Sequence, residues 1–120
     1  LIGLSGAVDL FHPDAMAAYE RAASNPSVVA AWCGDYSAAA SIDLDHDRMD
    51  LGRTNPIPCL VLWGGKGVVD HHLDPVTAWQ AWFPNATGHA IDAGHFLVEE
   101  RPAEVLEALR HHLNRTGPAS

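Results

Sequence analysis

The sequence predicts an α/β protein in which a helical segment precedes a β-α-β-α portion of a parallel sheet. Apolar residues recur at helical spacing between residues 13 and 40, and a continuous apolar run, Pro58–Trp63, ends in a pair of glycines. The longest amphipathic stretch, Pro102–Leu113, follows a second short apolar segment. Strands that alternate with helices in this way are typical of a parallel sheet with crossover helices.

The helical segment is expected to span residues 1–50. One helix is predicted to begin at Pro13, because proline is favoured in the first turn of a helix. A second is predicted to begin at Pro26, directly after Asn25, whose side chain can accept a hydrogen bond from the first turn. The aspartate-rich stretch 43–48 breaks the apolar periodicity, so we predict a loop with local ion pairs there.

The sheet segment is expected to span residues 51–114 and to end in a frayed tail at 115–120. The run Pro58–Trp63 has the composition of a strand buried on both faces. Thr87–Asp92 is a weaker strand prediction, because it contains a glycine and a histidine. A helix over residues 75–82 is predicted between the two strands.

Two helices complete the predicted sheet segment. Asp74 is suited to cap the helix that follows the first strand, and the helix over Pro102–Leu113 ends the segment.

The two predicted strands are too few to form a stable sheet. Two parallel strands cannot cover both of their faces, and pairs of strands rarely persist alone in water. The chain also begins at Leu1, without an initiator methionine. We therefore expect it to be the C-terminal part of a longer protein.

Net charge and composition narrow the classes of partner. The chain has 7 Lys and Arg residues and 15 Asp and Glu residues, which gives a formal net charge of −8 at pH 7. A surface of this sign opposes binding to nucleic acid and to anionic membranes. No apolar run approaches the roughly 20 residues of a membrane helix, and Cys33 and Cys59 form neither a disulfide nor a metal-binding motif. With no recognisable signal peptide, we expect a cytoplasmic globular protein.

His95 is the residue whose position most suggests chemistry. The stretch Gly94–Pro102 places it on a turn directly after a predicted strand and shortly before a helix, where doubly wound sheets hold functional groups. A histidine can act there as a general base, because its pKa lies near the working pH. The alternative is that His95 is one of eight histidines and only completes a loop.

Several short motifs occur in a fixed order along the chain. They are Asp35-Tyr36, Ala38-Ala39-Ala40, Asp45-His46-Asp47-Arg48, Leu62-Trp63-Gly64, Lys66-Gly67-Val68 and Gly94-His95-Phe96-Leu97. The Gly-His turn, with Glu-Glu-x-Pro and a final helix after it, resembles the end of the α/β-hydrolase superfamily fold. The combination resembles the fluoroacetate/haloacetate dehalogenase branch from Leu10 to Leu113. The resemblance implies that residues 1–50 are part of a helical cap and residues 51–114 the last part of the core.

The resemblance also implies a reaction and roles for two residues. In that branch an aspartate displaces halide from the substrate and forms an ester, and a histidine then activates water to hydrolyse the ester. The family histidine corresponds to His95, and a cap tyrosine that binds the departing halide corresponds to Tyr36. The alternative for Tyr36 is packing beside Trp32 and Cys33 on one helix face.

The implied ligand is a small molecule, a halogenated short-chain acid. Neither a cofactor nor a metal is expected, and a homodimer is left open. The nucleophile of the family lies upstream of Leu1, so the 120 residues alone are expected to be inactive.

The acid that orients the histidine is a further point of comparison. Many α/β-hydrolases carry it where this sequence has Gly67, which has no side chain to serve. The dehalogenase branch holds it one strand earlier, and Asp70 is the alternative within this chain. The sequence departs from its relatives at Gly34, Ser37 and Val98, where they usually carry Glu, Arg and Pro.

Two other functions stay open at this stage. An epoxide hydrolase-like enzyme would use the cap tyrosine to protonate the epoxide oxygen instead of binding a halide. A non-catalytic fragment would serve as a binding or assembly partner. Product analysis separates the two enzymes, and the intact mass of the native protein identifies the fragment.

Overall fold

The structure is a computed structural model that describes residues 8–67 and 74–116. Contacts between residues divide the chain into two compact units. The helical unit consists of His12–Arg53, and the sheet unit contains the rest of the chain.

The helical unit contains three helices, α1 (Pro13–Ala23), α2 (Pro26–Ala39) and α3 (Ile42–Asp50). The predicted starts at Pro13 and Pro26 are confirmed. The Asn25 Oδ1 atom accepts a hydrogen bond from the backbone N–H of Ser27 at 3.0 Å, which caps α2 as predicted.

The prediction of a loop at residues 43–48 is wrong, because this stretch lies within α3. Asp43 and Asp45 occupy its first turn, where the positive end of the helix dipole favours carboxylates. Arg48 lies in the last turn, and its Nη1 atom is 2.7 Å from Asp45 Oδ1, one turn earlier. The sequence predicted the ion pair but not the helix. Helix α3 is favoured by its charged residues and not by an apolar periodicity, which was the signal used to predict helices.

The sheet unit begins with a short 3₁₀ helix, Val8–Leu10. The elements that follow Arg53 are β1 (Cys59–Gly64), α4 (Pro75–Gln80), β2 (Ala86–Ile91), α5 (Leu97–Glu100) and α6 (Pro102–Thr116). Both predicted strands are confirmed within a residue or two, as is the Asp74 cap, whose Oδ1 accepts a hydrogen bond from Val76 N at 3.1 Å. The last predicted helix extends beyond Leu113 to Thr116, and residues 117–120 lie outside the described part.

β1 and β2 form a parallel pair, with α4 in the connection between them. The register aligns Cys59 with Ala86 and Gly64 with Ile91. Both strands therefore end at the same edge of the sheet. This is the α/β arrangement that the sequence predicts.

The core of the sheet unit is small. Among the described residues, the buried apolar side chains of this unit are those of Val61, Pro75, Ala86, Ile91, Ala93 and Val105. Helix α6 contributes Val105, whereas the leucines that continue its predicted apolar stripe, Leu106, Leu109 and Leu113, are exposed. In the part of the chain that the structure describes, no helix has the length and apolar character needed to cross a membrane.

Candidate active site

Two loops meet at the carboxyl ends of the parallel strands. The loop after β1 begins at Gly65, and its backbone N–H donates to the carbonyl of Ile91 at 2.8 Å. The next N–H, that of Lys66, donates to the carbonyl of Ala93 in the loop after β2 at 2.9 Å. Parallel α/β sheets hold functional groups at this edge. The hydrogen bonds define the position of the backbone that leads to His95.

Gly64 lies against the backbone of Gly94 where the two loops meet. A Cβ atom at Gly64 would lie 1.7 Å from the carbonyl oxygen of Gly94, so no other residue fits there without displacing the loop. The N–H of Gly67 donates to the carbonyl of Gly64 at 2.9 Å and closes the turn. A Cβ atom at Gly67 would lie 3.5 Å from the backbone nitrogen of His95. The absence of a side chain at Gly64 therefore allows the close approach of the two loops.

His95 lies on the loop after β2 and its side chain is exposed. The Phe96 ring packs edge-on against the imidazole, with ring centroids 5.2 Å apart, and Phe11 packs edge-on against Phe96 at 5.7 Å. Over residues 8–67 and 74–116, no hydrogen bond to the imidazole is observed. The position after a strand and before a short helix, α5, agrees with the prediction.

Glu100 is a component of this loop that sequence reasoning missed. Glu100 is only 7% exposed, and among the described residues it is the one charged residue that is buried. Its Oε2 atom accepts a hydrogen bond from the backbone N–H of Gly94 at 2.7 Å. The sequence shows a Glu-Glu pair before Pro102, but the periodicity of a four-residue helix is too short to indicate which glutamate is buried.

Asp92 links the two loops electrostatically. Its Oδ1 atom lies 2.7 Å from Lys66 Nζ in the loop after β1, and its Oδ2 atom lies 3.8 Å from Arg101 Nη2. The Arg101 Nε–H also donates to the backbone carbonyl of Asp92 at 3.2 Å. The hydrogen bond and the charge of Lys66, with the charge of Arg101, hold the pKa of the Asp92 carboxyl below its ordinary value.

Tyr36 lies on α2 in the helical unit, whereas His95 lies in the sheet unit. The Tyr36 residue is 75% exposed, and its neighbours Trp32 and Cys33 are exposed as well. The hydroxyl of Tyr36 is therefore accessible on the surface of α2.

Other residues considered from the sequence give no site among the described residues. Asp70, the alternative orienting acid, lies outside them. No group of three or more His, Cys, Asp or Glu side chains could hold a metal ion within residues 8–67 and 74–116.

Comparison with known proteins identifies the class of fold. No protein-family model matches the chain. An α/β hydrolase candidate from Nostoc is 40% identical, with a TM-score of 0.87 over 92% of this chain and 38% of that chain. A candidate acyltransferase from Salmonella enterica is 33% identical, with a TM-score of 0.87 over 95% of this chain and 38% of that one. A candidate epoxide hydrolase from Pseudomonas aeruginosa is 35% identical, with a TM-score of 0.85 over 96% of this chain and 39% of that one.

These similarities, together with the parallel strand pair and the loop that bears His95, show that the chain has the fold of α/β hydrolases over the part of those proteins that it covers. Among curated proteins it is similar to a fluoroacetate dehalogenase from Burkholderia, with 30% identity over 112 residues. That match covers 93% of this chain and 36% of the dehalogenase. The resemblance seen in the motifs is thus confirmed, and the chain spans little more than a third of the length of the proteins it matches.

Proposed function

We propose that this chain forms part of a hydrolase that cleaves a carbon–halogen bond in a short-chain acid, with His95 as the base that activates water. One observation supports the proposal most directly: an exposed histidine lies on a braced loop at the carboxyl end of β2. The similarity to a fluoroacetate dehalogenase supports the choice of substrate class.

The proposed reaction has two covalent steps. An aspartate carboxylate, supplied by polypeptide outside this chain, attacks the α-carbon of the haloacid, and the carbon–halogen bond breaks to release halide. Water then attacks the carbonyl carbon of the aspartyl ester while the neutral imidazole of His95 takes its proton. The ester bond breaks, and the imidazolium returns its proton to the alkoxide oxygen, so that the hydroxy acid leaves. The aspartic acid that remains releases one proton to solvent and is again a carboxylate, which balances the halide ion released in the first step.

Tyr36 is proposed to stabilise the departing halide. Fluoride is strongly hydrated in water, so a site that releases it must replace that hydration with hydrogen-bond donors. A phenol O–H is such a donor, and the exposure of Tyr36 on α2 leaves its hydroxyl accessible within the helical unit. This role requires the complete protein to bring the Tyr36 hydroxyl to the bound substrate.

An epoxide hydrolase is the second candidate. The similarity to a candidate epoxide hydrolase, at 35% identity, favours it. In that reaction the Tyr36 hydroxyl would donate its proton to the epoxide oxygen, and His95 would again activate the water that hydrolyses an ester.

The products of the reaction distinguish the dehalogenase from the epoxide hydrolase. The complete protein that contains this chain is incubated with fluoroacetate and, separately, with a small epoxide. We expect fluoride and glycolate from the first and no diol from the second. Diol without fluoride would replace the proposal with the second candidate, and neither product would overturn both.

A further inference from the structure

We propose that Glu100 is a positioning residue for His95, which it orients through the backbone of Gly94. This inference rests on the proposed function of His95 as a base. It assigns a role to a buried carboxylate that does not itself touch substrate.

The hydrogen bond from Gly94 N–H to Glu100 Oε2 closes a short loop of backbone and side chain. Its span of six residues contains His95, Phe96 and the first turn of α5. The carbonyl of Phe96 accepts hydrogen bonds from the N–H groups of Glu99 and Glu100, at 2.9 and 3.0 Å. The α5 turn therefore begins two residues after His95, with Phe96 at its N-cap, and brings the Glu100 carboxylate back to Gly94, the residue before His95.

The loop after β1 contacts the backbone of Ala93 and Gly94 through their carbonyl groups. The carbonyl of Gly94 faces Gly64, and the carbonyl of Ala93 accepts the N–H of Lys66. Gly94 is thus held between the loop after β1 and the carboxylate of Glu100. Removing the carboxylate would release one side of this arrangement.

The His95 side chain is exposed and has few contacts, so its orientation depends on the backbone that carries it. The imidazole has the edge of Phe96 beside it, and the described residues offer it no hydrogen bond. A general base must lie within hydrogen-bonding reach of the water it activates, and a misplacement of about 1 Å can reduce a rate about 100-fold. The backbone at Gly94 and Phe96 therefore determines where the His95 ring can reach.

Because the Gly94 N–H and the Glu100 carboxylate are buried, losing this hydrogen bond would cost enough free energy to change the loop conformation. A buried backbone N–H without an acceptor is costly, so the loop would rearrange rather than leave Gly94 without a partner. Glutamine at position 100 keeps an acceptor oxygen at the same reach but has no charge. Aspartate keeps the charge but is shorter by one methylene. The two variants therefore separate reach from charge.

The first test measures kinetics in the complete protein. Glu100→Asp is expected to lower kcat about 10- to 100-fold and to change KM less than about twofold. The shorter side chain would disturb the alignment of His95 with the water that it activates but would leave substrate binding unchanged. Glu100→Gln is expected to retain kcat within about threefold. Glu107→Gln, an exposed glutamate on α6, is the charge-matched control and should leave both constants unchanged. Unfolding in urea, measured for each variant, confirms that the proteins compared are folded.

The second test does not depend on turnover. The Cε1–H signal of His95 in NMR spectra, assigned by its absence in His95→Asn, is expected to move in Glu100→Asp and to stay near its original position in Glu100→Gln and Glu107→Gln. If the wild-type protein shows no turnover but these shifts occur, the proposed function fails and the positioning role stands. An unmoved His95 signal in folded Glu100→Asp, or a loss of kcat in Glu100→Gln equal to that in Glu100→Asp, would overturn the inference.

Discussion

Gly64 and Gly94 come into backbone contact where the two loops of the sheet unit meet: a Cβ atom at Gly64 would lie 1.7 Å from the carbonyl oxygen of Gly94. The contact is between backbone atoms, so a rotamer change cannot relieve it. Gly64→Ala is therefore expected to cost about 3 kcal/mol or more in the free energy of unfolding. Urea denaturation followed by circular dichroism measures this change.

Gly34 provides the control for that substitution. It lies within α2, and a Cβ atom there would have nothing within 4 Å. Gly34→Ala is expected to raise the free energy of unfolding by about 0.5–1 kcal/mol, because alanine has the higher helix propensity. A Gly64→Ala variant as stable as Gly34→Ala would show that the loops do not approach as described.

The contribution of Asp92 to stability depends on pH. Lys66 and Arg101 lower the pKa of the folded carboxyl, so its contribution is fully present above the unfolded pKa, near about 4. The contribution is lost as the pH falls through the lower folded pKa. Asp92→Asn is therefore expected to be less stable than the wild type near neutral pH, and the difference should shrink below about pH 4.

Urea unfolding of both proteins between about pH 6 and pH 3 measures this difference. Asp35→Asn is the control, since Asp35 is exposed on α2 and no ion pair to it occurs among the described residues. Its effect should be small and vary little with pH. A stability difference for Asp92→Asn that grows as the pH falls would contradict the assignment of the Lys66–Asp92 ion pair.

Local signals predicted most of this fold. Asn25 before α2 and Pro26 at its first position indicate where the helix begins, because they act through a local hydrogen bond and through backbone geometry. The apolar run Pro58–Trp63 correctly predicts the strand β1. The prediction that this strand is buried on both faces is wrong for the described residues, because within β1 only Val61 and Gly64 are buried. Helix α3 was missed because acidic and basic residues at its two ends, not an apolar face, favour it.

The site was predicted only in part for a physical reason. The position of His95 follows from the order of strand, turn and helix, which is encoded locally. The hydrogen bond between Glu100 and Gly94 depends on how α5 folds back on the loop, and four residues carry no periodic signal for that. The contact of Gly64 with Gly94 depends on the pairing of two strands that are separate in sequence.

The hydroxyl of Tyr36 is expected to matter for turnover and not for folding. Since Tyr36 is exposed on α2, Tyr36→Phe should change the free energy of unfolding by less than about 0.5 kcal/mol. Loss of one donor to the developing fluoride should lower kcat about 100-fold in the complete protein. Fluoride release, measured with an ion-selective electrode, gives the rate.

Tyr19→Phe is the control for this prediction, because Tyr19 is the other tyrosine of the chain and lies on α1. It should release fluoride at the wild-type rate. Wild-type rates in Tyr36→Phe, with a loss of stability in Tyr36→Ala, would assign Tyr36 to packing beside Trp32 and Cys33.

The role of His95 as the water-activating base is tested most directly by trapping the ester. In the complete protein, His95→Asn should still allow the aspartate to displace halide but should stop hydrolysis. Rapid mixing with fluoroacetate should then release one fluoride per protein molecule and leave a covalent adduct that intact-mass spectrometry detects. Continued turnover by His95→Asn, or the absence of both the fluoride burst and the adduct where the wild type is active, would contradict that role.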